Sequence, residues 1–273
     1  MSDRIALIAG AGRFPLYVAQ AARRQGMGVV ALGIRGWADP ALSAHVDAYE
    51  ELAVGALGEF IDRLKFHGVR RAIMAGKVTK DVWLTQRATF DAELAALVSH
   101  APEASVTSLL GAIGQRLARE GITLLDSSTF LKADLCPAGV IGGRPPTERE
   151  QRDIRLGAAA ARAMAALDIG QTVVVKDGVI IAVEALEGTD AAIRRAQALA
   201  GQGLVVVKMA APAQDRRFDL PVVGIDTLTT LREAGVSCLA VEAGTTLLLD
   251  RDAVIASANA SHICLLGVTA PAA

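Results

Sequence analysis

Histidine, cysteine and aromatic residues are scarce in this chain of 273 residues, and the shortages of cysteine and histidine each exclude a class of protein. Aromatic residues make up 4% of the chain. Three cysteines, widely spaced and odd in number, fit neither a disulfide framework nor a zinc finger. They are typical of small buried thiols in a reducing compartment. Four histidines stand singly, which excludes a histidine-rich dimetal centre; these scarce residues are Cys136, Cys238, Cys264, His45, His67, His100 and His262.

Neither sign of charge is in excess. Lys and Arg number 28 and Asp and Glu number 29, giving a net charge of −1. A chain without a strong basic field is not expected to bind nucleic acid. The hydrophobic fraction of 52% is enough for a sizeable core and excludes disorder and coiled coil.

Long apolar runs are also missing. The longest uncharged stretch, residues 253–273, contains serine, asparagine and proline, so it predicts a helix and a buried strand rather than a membrane span. The first uncharged run is too short for the apolar core of a signal peptide with its cleavage site. The sequence therefore predicts a soluble, cytoplasmic protein whose contact with lipid is at most peripheral.

Short β-branched runs alternate with alanine-rich helical stretches, which predicts an α/β fold of two domains. Residues 1–132 are predicted as an N-terminal domain with a Rossmann-like parallel sheet of four strands. Residues 133–146, rich in glycine and proline, are predicted as the linker. Residues 147–273 are predicted as a C-terminal mixed α/β domain, which is the catalytic one.

Two local patterns place the first elements of the second domain. Thr147 and Glu150 have the spacing of a capping box, in which each side chain satisfies the other residue's free backbone N–H. Asp177-Gly178 between two apolar runs predicts a tight β-hairpin.

A glycine-containing loop follows the first predicted strand. Gly10, Gly12 and Arg13 stand where a Rossmann protein binds pyrophosphate, with backbone N–H groups at a helix N-terminus. Pro15 replaces the third glycine, and Arg35 ends the second strand where an acidic ribose ligand is usual. The loop therefore predicts either a phosphate or nucleotide contact or a tight structural turn.

Two further polar segments follow strands at the carboxyl end, where open α/β sheets bind ligands. Residues 76–80, which include Gly76, Lys77, Thr79 and Lys80, could hold a phosphate or form a solvated loop. Residues 126–129 could do the same, or form an Asx or Ser/Thr turn.

The second half of the chain has the denser set of charged side chains. Glu184, Thr189 and Asp190 lie at a strand-to-helix junction, where Thr189 or Asp190 could cap the helix. Lys208 ends the next strand, and residues 214–219 and 226 follow. Hard oxygen ligands of this kind suit Mg²⁺, which takes one or two protein carboxylates plus phosphate oxygens and water. Neighbouring arginines neutralise a phosphoryl group. The alternative is a salt-bridged surface loop in which Asp226 caps a helix starting at Leu228.

Several standard catalytic motifs are absent. The chain has no His-Glu-x-x-His, no Gly-x-Ser-x-Gly, no Gly-x-x-x-x-Gly-Lys-Ser/Thr and no Cys-x-x-Cys. The residues alone thus indicate a two-domain α/β protein that handles phosphate.

Five segments together resemble the LpxI-type UDP-2,3-diacylglucosamine pyrophosphatases. They are IALIAGAGRFP, AGKVTK, DSSTFL, EALEGTDAAIRRA and VVKMAAPAQDRRFDLPVVGIDTL, and they cover nearly the whole chain in order. The resemblance implies Mg²⁺-dependent hydrolysis of UDP-2,3-diacylglucosamine to UMP and 2,3-diacylglucosamine 1-phosphate (lipid X), in lipid A biosynthesis. It also implies two domains, a homodimer and peripheral contact with the inner face of the inner membrane.

The resemblance also implies roles for individual residues. An essential aspartate of the family lies in the segment matching residues 224–227, so Asp226 is the first candidate for metal ligation or water activation, and Asp215 and Lys208 are further catalytic candidates. The predicted metal ligands are Asp226, Asp190 and Glu184. The predicted substrate and phosphate contacts are Gly12, Arg13, Gly76, Lys77, Ser127, Ser128, Thr129, Lys176, Thr189, Arg216 and Arg217.

Two other functions fit parts of the pattern. A non-enzymatic nucleotide- or lipid-binding module would keep the glycine turn without needing the carboxylates. An NADP-linked oxidoreductase would use Gly10, Gly12 and Arg35, but neither Tyr17 nor Tyr49 has the lysine four residues on that the short-chain enzymes need.

Overall fold

The computed structural model describes residues 3–78, 82–100, 106–212, 215–218 and 220–269. The chain divides into two compact units: the first comprises residues 1–131 and 215–219, and the second comprises residues 132–214 and 220–273. Four residues of the predicted polar segments, Thr79, Lys80, Gln214 and Asp219, lie outside the described residues.

The first unit is built on a parallel five-stranded sheet. Its order, β3-β2-β1-β4-β5, reverses direction between β1 and β4. The sequence predicts four of these strands and misses β3, because its run AYEEL carries two glutamates at the sheet's edge and lacks an apolar face. The strands are β1 (Arg4–Ala9), β2 (Gly28–Ile34), β3 (Ala48–Leu52), β4 (Arg71–Ala75) and β5 (Thr123–Leu124).

Helices of the first unit cover this sheet with apolar faces. In α2, for example, Leu57, Phe60, Ile61 and Leu64 recur at helical spacing and are all buried in one core cluster with strand residues. The helices are α1 (Phe14–Arg24), α2 (Leu57–Phe66), α3 (Val82–Thr85), α4 (Ala92–His100) and α5 (Val106–Arg119), with 3-10 turns at Pro40–His45 and Arg87–Thr89.

The second unit is built on a mixed six-stranded sheet of order β6-β13-β11-β9-β7-β8, with a small parallel pair β10-β12 beside it. Helix α6 packs on one face of the large sheet, and α7, α8 and α9 contribute to the core on the other. The strands are β6 (Gly139–Gly142), β7 (Thr172–Lys176), β8 (Val179–Val183), β9 (Leu204–Lys208), β10 (Val222–Val223), β11 (Val236–Glu242), β12 (Leu247–Leu248) and β13 (Cys264–Val268); the helices are α6 (Glu148–Ala166), α7 (Thr189–Ala200), α8 (Ile225–Glu233) and α9 (Arg251–Ala260), with a 3-10 turn at Lys132–Asp134.

The glycine- and proline-rich residues 133–146, predicted as a linker, include the edge strand β6. This strand pairs antiparallel with β13, and Gly143 N donates to Asn259 Oδ1 at 2.5 Å. Gly143 also has no room for a Cβ, which would lie 1.8 Å from Ile263 O. The glycines here therefore permit close packing against the sheet.

Both local patterns of the second unit are confirmed. Thr147 N donates to Glu150 Oε2 at 2.8 Å while Glu150 N donates to Thr147 Oγ1 at 3.2 Å, which is the capping box at the start of α6. Asp177 and Gly178 have φ of 50° and 80°, as a two-residue hairpin turn requires. Asp153 on α6 accepts from both of their N–H groups, at 3.1 and 2.7 Å.

No helix of the described segments is long and apolar enough to cross a membrane.

A buried ion pair joins residue 144 to helix α6. Arg144 donates to both carboxylate oxygens of Glu150, at 2.7 and 2.6 Å, and the Glu150 side chain is 1% exposed. Burial by itself raises the pKa of this carboxyl, but the hydrogen bonds from Arg144 and Thr147 outweigh it and lower the pKa to about 2.

This pair predicts a loss of stability in acid. Because the folded pKa of Glu150 lies below its unfolded value, its stabilising contribution is present above about pH 4.5 and is lost as the pH falls toward 2, a change of a few kcal/mol. The Glu150→Gln variant should therefore lose stability at pH 6 and show a smaller further decline between pH 5 and pH 2.5. Urea denaturation at several pH values measures this. Glu148→Gln, at an exposed position of the same helical turn, should follow the wild-type profile; identical profiles for all three proteins would contradict the prediction.

Candidate functional site

Strands β1 and β4 flank the point where the order of the first sheet reverses, which is where open α/β sheets bind ligands. The loops after these strands are hydrogen-bonded to each other: Ala11 N donates to Lys77 O at 2.8 Å and Lys77 N to Ala11 O at 2.9 Å. This bridge places the two predicted phosphate loops side by side at the carboxyl end of the sheet.

Glycine is required where these loops meet. A Cβ on Gly10 would lie 2.8 Å from Lys77 O, and one on Gly76 would lie 2.7 Å from Gly10 C. Gly76 also has φ +93°, a conformation that favours glycine. Gly10 and Gly76 therefore serve the approach of one loop to the other.

The neighbouring residues Gly12, Arg13 and Lys77 are exposed at this edge. Gly12 has φ +87° with open space around it, and no side chain caps the N-terminus of α1. The Arg13 guanidinium lies over the ring of Tyr17, 5.5 Å from its centroid. The edge thus combines two cations with backbone N–H groups that no side chain occupies, an arrangement suited to a phosphate.

Residues 126–129 after β5 form a closed turn. Ser128 N and Oγ donate to Asp126 Oδ1 at 2.7 and 2.6 Å, and Thr129 Oγ1 donates to Asp126 O at 2.5 Å. Ser127 and Ser128 are 2% and 0% exposed. Because these hydroxyl protons have internal acceptors, the structure gives Ser127 and Ser128 a structural role, the Asx and Ser/Thr turn that the sequence leaves open beside phosphate binding.

This turn holds the segment Asp215–Phe218, which comes from the second half of the chain. Ser127 N donates to Arg216 O at 2.9 Å, and Ser127 Oγ donates to Met74 O at 2.7 Å and Arg217 O at 3.1 Å. The segment is therefore part of the first unit, although its neighbours in sequence belong to the second.

Arg216 is the cation that this anchoring brings to the edge. Its Nη2 donates to Ser128 Oγ at 3.2 Å. Its Nε lies 3.1 Å from Asp126 Oδ2, close enough for charge attraction although no hydrogen bond forms at this nitrogen. Its side chain is 37% exposed, so the guanidinium remains open to an anion.

Asp215 and Arg217, predicted as a catalytic carboxylate and a phosphate ligand, are paired with each other. Arg217 Nε and Nη2 donate to Asp215 at 2.9 and 2.5 Å. The bond from Arg217 lowers the pKa of the Asp215 carboxyl. The Arg217 guanidinium also lies 4.8 Å from the centre of the Phe218 ring. This geometry makes Asp215 a partner of Arg217 rather than a free base.

In the second unit, predicted residues meet at the carboxyl end of β8 and β9. Thr189 Oγ1, in the first turn of α7, donates to Glu184 Oε1 at 2.9 Å and accepts from Lys208 Nζ at 3.3 Å. Thr172, which pairs with Lys208 across the sheet, has its hydroxyl 3.3 Å from that of Thr189. The predicted residues Glu184, Thr189 and Lys208 thus form one hydrogen-bonded cluster.

The cap of α7 differs from the expectation. The sequence offers Thr189 or Asp190 as its N-cap, but the N-cap is Gly188, with φ +82° and no side-chain cap. The Thr189 hydroxyl is committed to Glu184 instead. Asp190 is exposed, and its carboxylate has no hydrogen-bond or ion-pair partner among the described residues.

Lys176 is separated from this cluster. Strand β7 runs antiparallel to β9, with Thr172 opposite Lys208 and Val175 opposite Val205. Lys176 therefore lies at the other end of the strands, where its Nζ donates to Ala200 O at the end of α7 at 2.6 Å. The prediction that Lys176 joins the phosphate site is wrong, because it did not account for the reversed direction of β7.

Glu242 is a site residue that the sequence reasoning misses. It ends β11, beside Lys208 at the end of β9, and accepts from Ala210 N at 3.1 Å and from Arg162 Nη1 at 3.5 Å. Its side chain is 12% exposed. A charged residue at a strand's carboxyl end is also the signal that identifies Lys208, but the apolar run that predicts β11, residues 236–241, ends just before Glu242.

Asp226 lies at the second position of α8, whose N-cap is Gly224. The helix begins three residues earlier than predicted, so the alternative in which Asp226 caps a helix at Leu228 is wrong. The Asp226 side chain is exposed and has no hydrogen-bond or ion-pair partner among the described residues. Its carboxylate therefore remains available to a ligand.

No three His, Cys, Asp or Glu side chains of the described segments are grouped so that they could hold a metal ion by themselves. Of the three predicted metal ligands, Asp226 and Asp190 have no partner among the described residues and are each at the second position of a helix, whereas Glu184 accepts from Thr189 Oγ1 and Gln171 N. An ion here would need ligands from a substrate or water, as Mg²⁺ commonly has.

Comparison with known proteins covers both halves of the chain. Residues 4–133 match the family model of the LpxI N-terminal domain, and residues 137–266 match that of the LpxI C-terminal domain. The chain is 31% identical over 275 residues to the UDP-2,3-diacylglucosamine pyrophosphatase LpxI of Caulobacter vibrioides, covering 97% of each protein.

Solved structures show only distant similarity. The precorrin-6A reductase CobK aligns over 100% of this chain and 89% of its own at 14% identity, with a TM-score of 0.34. The biotin carboxylase domain of the Hydrogenobacter thermophilus 2-oxoglutarate carboxylase aligns over 66% of this chain at 12% identity, with a TM-score of 0.28, and the chain spans about a third (36%) of its length. Scores this low carry no argument about the fold or the function.

The anchored segment predicts a stability effect at Phe218. This ring packs against the core of the first unit and lies 3.2 Å from the position of a Cβ on Gly114. Phe218→Ala should lower the free energy of unfolding by about 2 kcal/mol, less than for a fully buried ring because Phe218 is partly exposed. Phe66→Ala, which removes a ring that is 75% exposed on the same unit, should change it by no more than about 0.5 kcal/mol. Equal effects in urea denaturation would show that the segment does not stabilise the unit.

Proposed function

The chain belongs to the LpxI family, and we propose from that premise how its residues carry out the hydrolysis of UDP-2,3-diacylglucosamine. The family match spans both domains, and the reaction is the pyrophosphate cleavage of lipid A biosynthesis. Water is consumed, one P–O bond of the pyrophosphate breaks, and UMP and 2,3-diacylglucosamine 1-phosphate leave. Such hydrolysis needs positioned cations and an oriented water more than covalent assistance.

The cluster of Lys208, Thr189 and Glu184 is the observation that carries this proposal. Three polar groups from β9, α7 and the end of β8 are joined by hydrogen bonds at the carboxyl ends of the strands. In our proposal the Lys208 ammonium binds a phosphoryl oxygen and reduces the charge that a nucleophile meets. Thr189, held by Glu184, fixes the position of the ammonium.

Asp226 is proposed as the group that acts on the attacking water. A carboxylate with no internal partner can accept a hydrogen bond from water and orient its lone pair toward phosphorus. Asp215 is not proposed for this role, because both of its oxygens are bound by Arg217.

A magnesium ion fits the donor set. Asp226 and Asp190 offer hard carboxylate oxygens with no partner among the described residues, whereas both oxygens of Glu184 accept hydrogen bonds, from Thr189 Oγ1 at 2.9 Å and from Gln171 N at 3.4 Å. We propose that one or two of these carboxylates hold the ion and that pyrophosphate oxygens and water complete its shell. When bound, Mg²⁺ supplies charge neutralisation at the pyrophosphate.

In the first unit, the exposed cations Arg13 and Lys77 and the partly exposed Arg216 are proposed to bind anionic groups of the substrate, together with the open backbone at Gly12. The exposure of these side chains and the start of α1, which has no side-chain cap, support this assignment. Gly76 acts indirectly by allowing the two loops to pair.

We also propose where the enzyme acts. Because its substrate carries a nucleotide and two acyl chains, we infer that the enzyme works in the cytoplasm and contacts the inner face of the inner membrane. The homodimer implied by the family resemblance remains a prediction.

Chelation of divalent ions tests the metal proposal. Hydrolysis of UDP-2,3-diacylglucosamine in dispersed lipid should be abolished by EDTA and restored by excess Mg²⁺, because the ion carries charge that Lys208 alone does not neutralise. Release of UMP is measured by chromatography, with the thermal melting point as a check that the chelator leaves the protein folded. Full turnover of a metal-free, chelated sample would overturn the Mg²⁺ assignment.

Substitution of Asp226 tests the catalytic assignment. Asp226→Asn should lower kcat by about 10²–10⁴-fold with little change in substrate binding, because the lost interaction forms mainly in the transition state. Melting temperature should change little, since the Asp226 carboxylate has no hydrogen-bond or ion-pair partner among the described residues and stabilises α8 mainly through the helix dipole.

Asp252→Asn is the matched control, because Asp252 is an exposed aspartate at the second position of α9. It should show the same small effect on melting and a kcat close to wild type. A near-normal kcat for Asp226→Asn, or equal losses for both variants, would remove Asp226 from the mechanism.

A further inference from the structure

The cluster around Lys208 contains one fully buried hydroxyl, which the mechanism above does not use. Thr172, at the start of β7, is 0% exposed, whereas Glu184, Thr189 and Lys208 are partly exposed. Burying a hydroxyl costs free energy unless it is hydrogen-bonded. Among the described residues, the Thr172 hydroxyl has its hydrogen bond with the Thr189 hydroxyl, at 3.3 Å. A residue that cannot reach solvent is therefore tied to a residue of the proposed site.

Thr172 is adjacent to each of the other three members of the cluster. Its backbone O accepts from Glu184 N at 2.9 Å, and it lies directly opposite Lys208 in the antiparallel pair of β7 and β9. Residues directly opposite each other have side chains on the same face of the sheet, with Cβ atoms about 4.5–5.5 Å apart. Strand β7 is an interior strand, paired with β8 on one side and β9 on the other. The sheet itself therefore fixes the position of Thr172.

The chemistry of its partners determines where each proton of the Thr189 hydroxyl's hydrogen bonds lies. The Glu184 carboxylate only accepts, so Thr189 gives its one proton to Glu184 Oε1, 2.9 Å away. The Lys208 ammonium only donates, and it occupies one lone pair of Thr189 Oγ1 at 3.3 Å. The second lone pair is left for Thr172, which therefore acts as the donor. All three hydrogen-bonding positions of the Thr189 hydroxyl are then occupied.

This arrangement restrains the Lys208 ammonium. The Thr189 hydroxyl cannot rotate without breaking one of its three hydrogen bonds, and threonine is stiff at χ1 because it is β-branched. An ammonium has three N–H donors, and Thr189 takes one of them. The other two have no hydrogen-bond partner among the described residues, so they are available to an anion from a fixed position.

We propose that Thr172 is a positioning residue for the hydrolysis: its buried hydroxyl fixes Thr189, which holds the Lys208 ammonium with two N–H groups directed at the pyrophosphate. The inference rests on the proposed function, in which Lys208 binds a phosphoryl oxygen. Thr172 itself does not touch the substrate, because it is fully buried. Its contribution is to the geometry of a charged group that interacts most strongly with the transition state.

Removal of the Thr172 hydroxyl tests the proposal. Thr172→Val has nearly the same shape, and it should lower kcat by about 10–100-fold with KM within about threefold of wild type, because a misplaced ammonium loses transition-state contact. Thr172→Ser keeps the hydroxyl and should retain kcat within about threefold of wild type. Initial rates of UMP release from substrate in detergent micelles measure both constants. Normal kcat for Thr172→Val, or equal losses for Val and Ser, would overturn the proposal.

Thr246→Val is the matched control. Thr246 is also 0% exposed in the second unit, and its hydroxyl has no hydrogen-bond partner among the residues that the structure describes. The same substitution there should leave kcat within about twofold of wild type. Melting curves confirm that each variant is folded at the assay temperature. A loss of kcat in Thr246→Val equal to that in Thr172→Val would assign the effect to general packing and overturn the proposal.

A double-mutant cycle tests whether Thr172 acts through Thr189. Thr189→Val, at a partly exposed position, should itself lower kcat by about 10–100-fold. Thr172→Val/Thr189→Val should be no more than about threefold slower than Thr189→Val, because the second hydroxyl has nothing left to position. Losses that multiply in the double variant, or a normal kcat for Thr189→Val, would overturn the proposal.

The same assays separate this inference from the function on which it rests. An active wild type with an equally active Thr172→Val would overturn the role of Thr172 and leave the proposed function standing. Absence of hydrolysis by wild type, in micelles with Mg²⁺ present, would overturn the proposed function and the role of Thr172 together.

Discussion

The hydroxyl of Ser127 makes the hydrogen bonds that hold the segment containing Arg216 at the edge of the first sheet. It donates to Met74 O near the end of β4 and to Arg217 O in a segment about ninety residues later in the chain. Since Ser127 is 2% exposed, loss of this hydroxyl would leave buried carbonyl oxygens unpaired, which costs more than a hydrogen bond gains. The position of Arg216 at the edge of the first sheet therefore follows from the packing of Asp126, Ser127 and Ser128. Residues that resemble phosphate ligands in sequence here hold the cation in place.

Close backbone contact is the second constraint on this edge. The bridge between Ala11 and Lys77 requires glycine at positions 10 and 76, where a Cβ would overlap the opposite loop. Gly12, in contrast, has open space around it. The two glycines of the first loop thus differ: Gly10 allows the two loops to join, whereas Gly12 leaves room for a ligand, a distinction that spacing alone cannot make.

Most of the fold could be predicted because local and global preferences agree. Alternating runs, the capping box at Thr147 and the Asp177-Gly178 turn each specify an element without tertiary information. The misses have tertiary causes. Strand β3 carries two glutamates on an edge, and β6 forms from a glycine-rich stretch because β13 offers it a partner. Lys176 ends its strand as predicted but lies away from Lys208, because β7 runs antiparallel to β9 and local sequence does not give that direction. Glu242 escapes prediction because it follows the apolar run of β11 by one residue.

The partners of the acidic residues divide the predicted carboxylates into two kinds. Asp215 is bound by Arg217 and Glu184 by Thr189, so burial and hydrogen bonding fix their positions and commit their oxygens. Asp226 and Asp190 have no such partner among the residues that the structure describes. A carboxylate that orients water or holds a metal ion needs an oxygen that has no hydrogen-bond partner within the protein. A carboxylate that positions a lysine or an arginine needs its oxygens hydrogen-bonded within the protein. Pyrophosphate hydrolysis needs both kinds, and the sequence, in which all four are simply acidic residues after strands, cannot distinguish them. The distinction arises from which donors the folded chain brings within hydrogen-bonding distance of each.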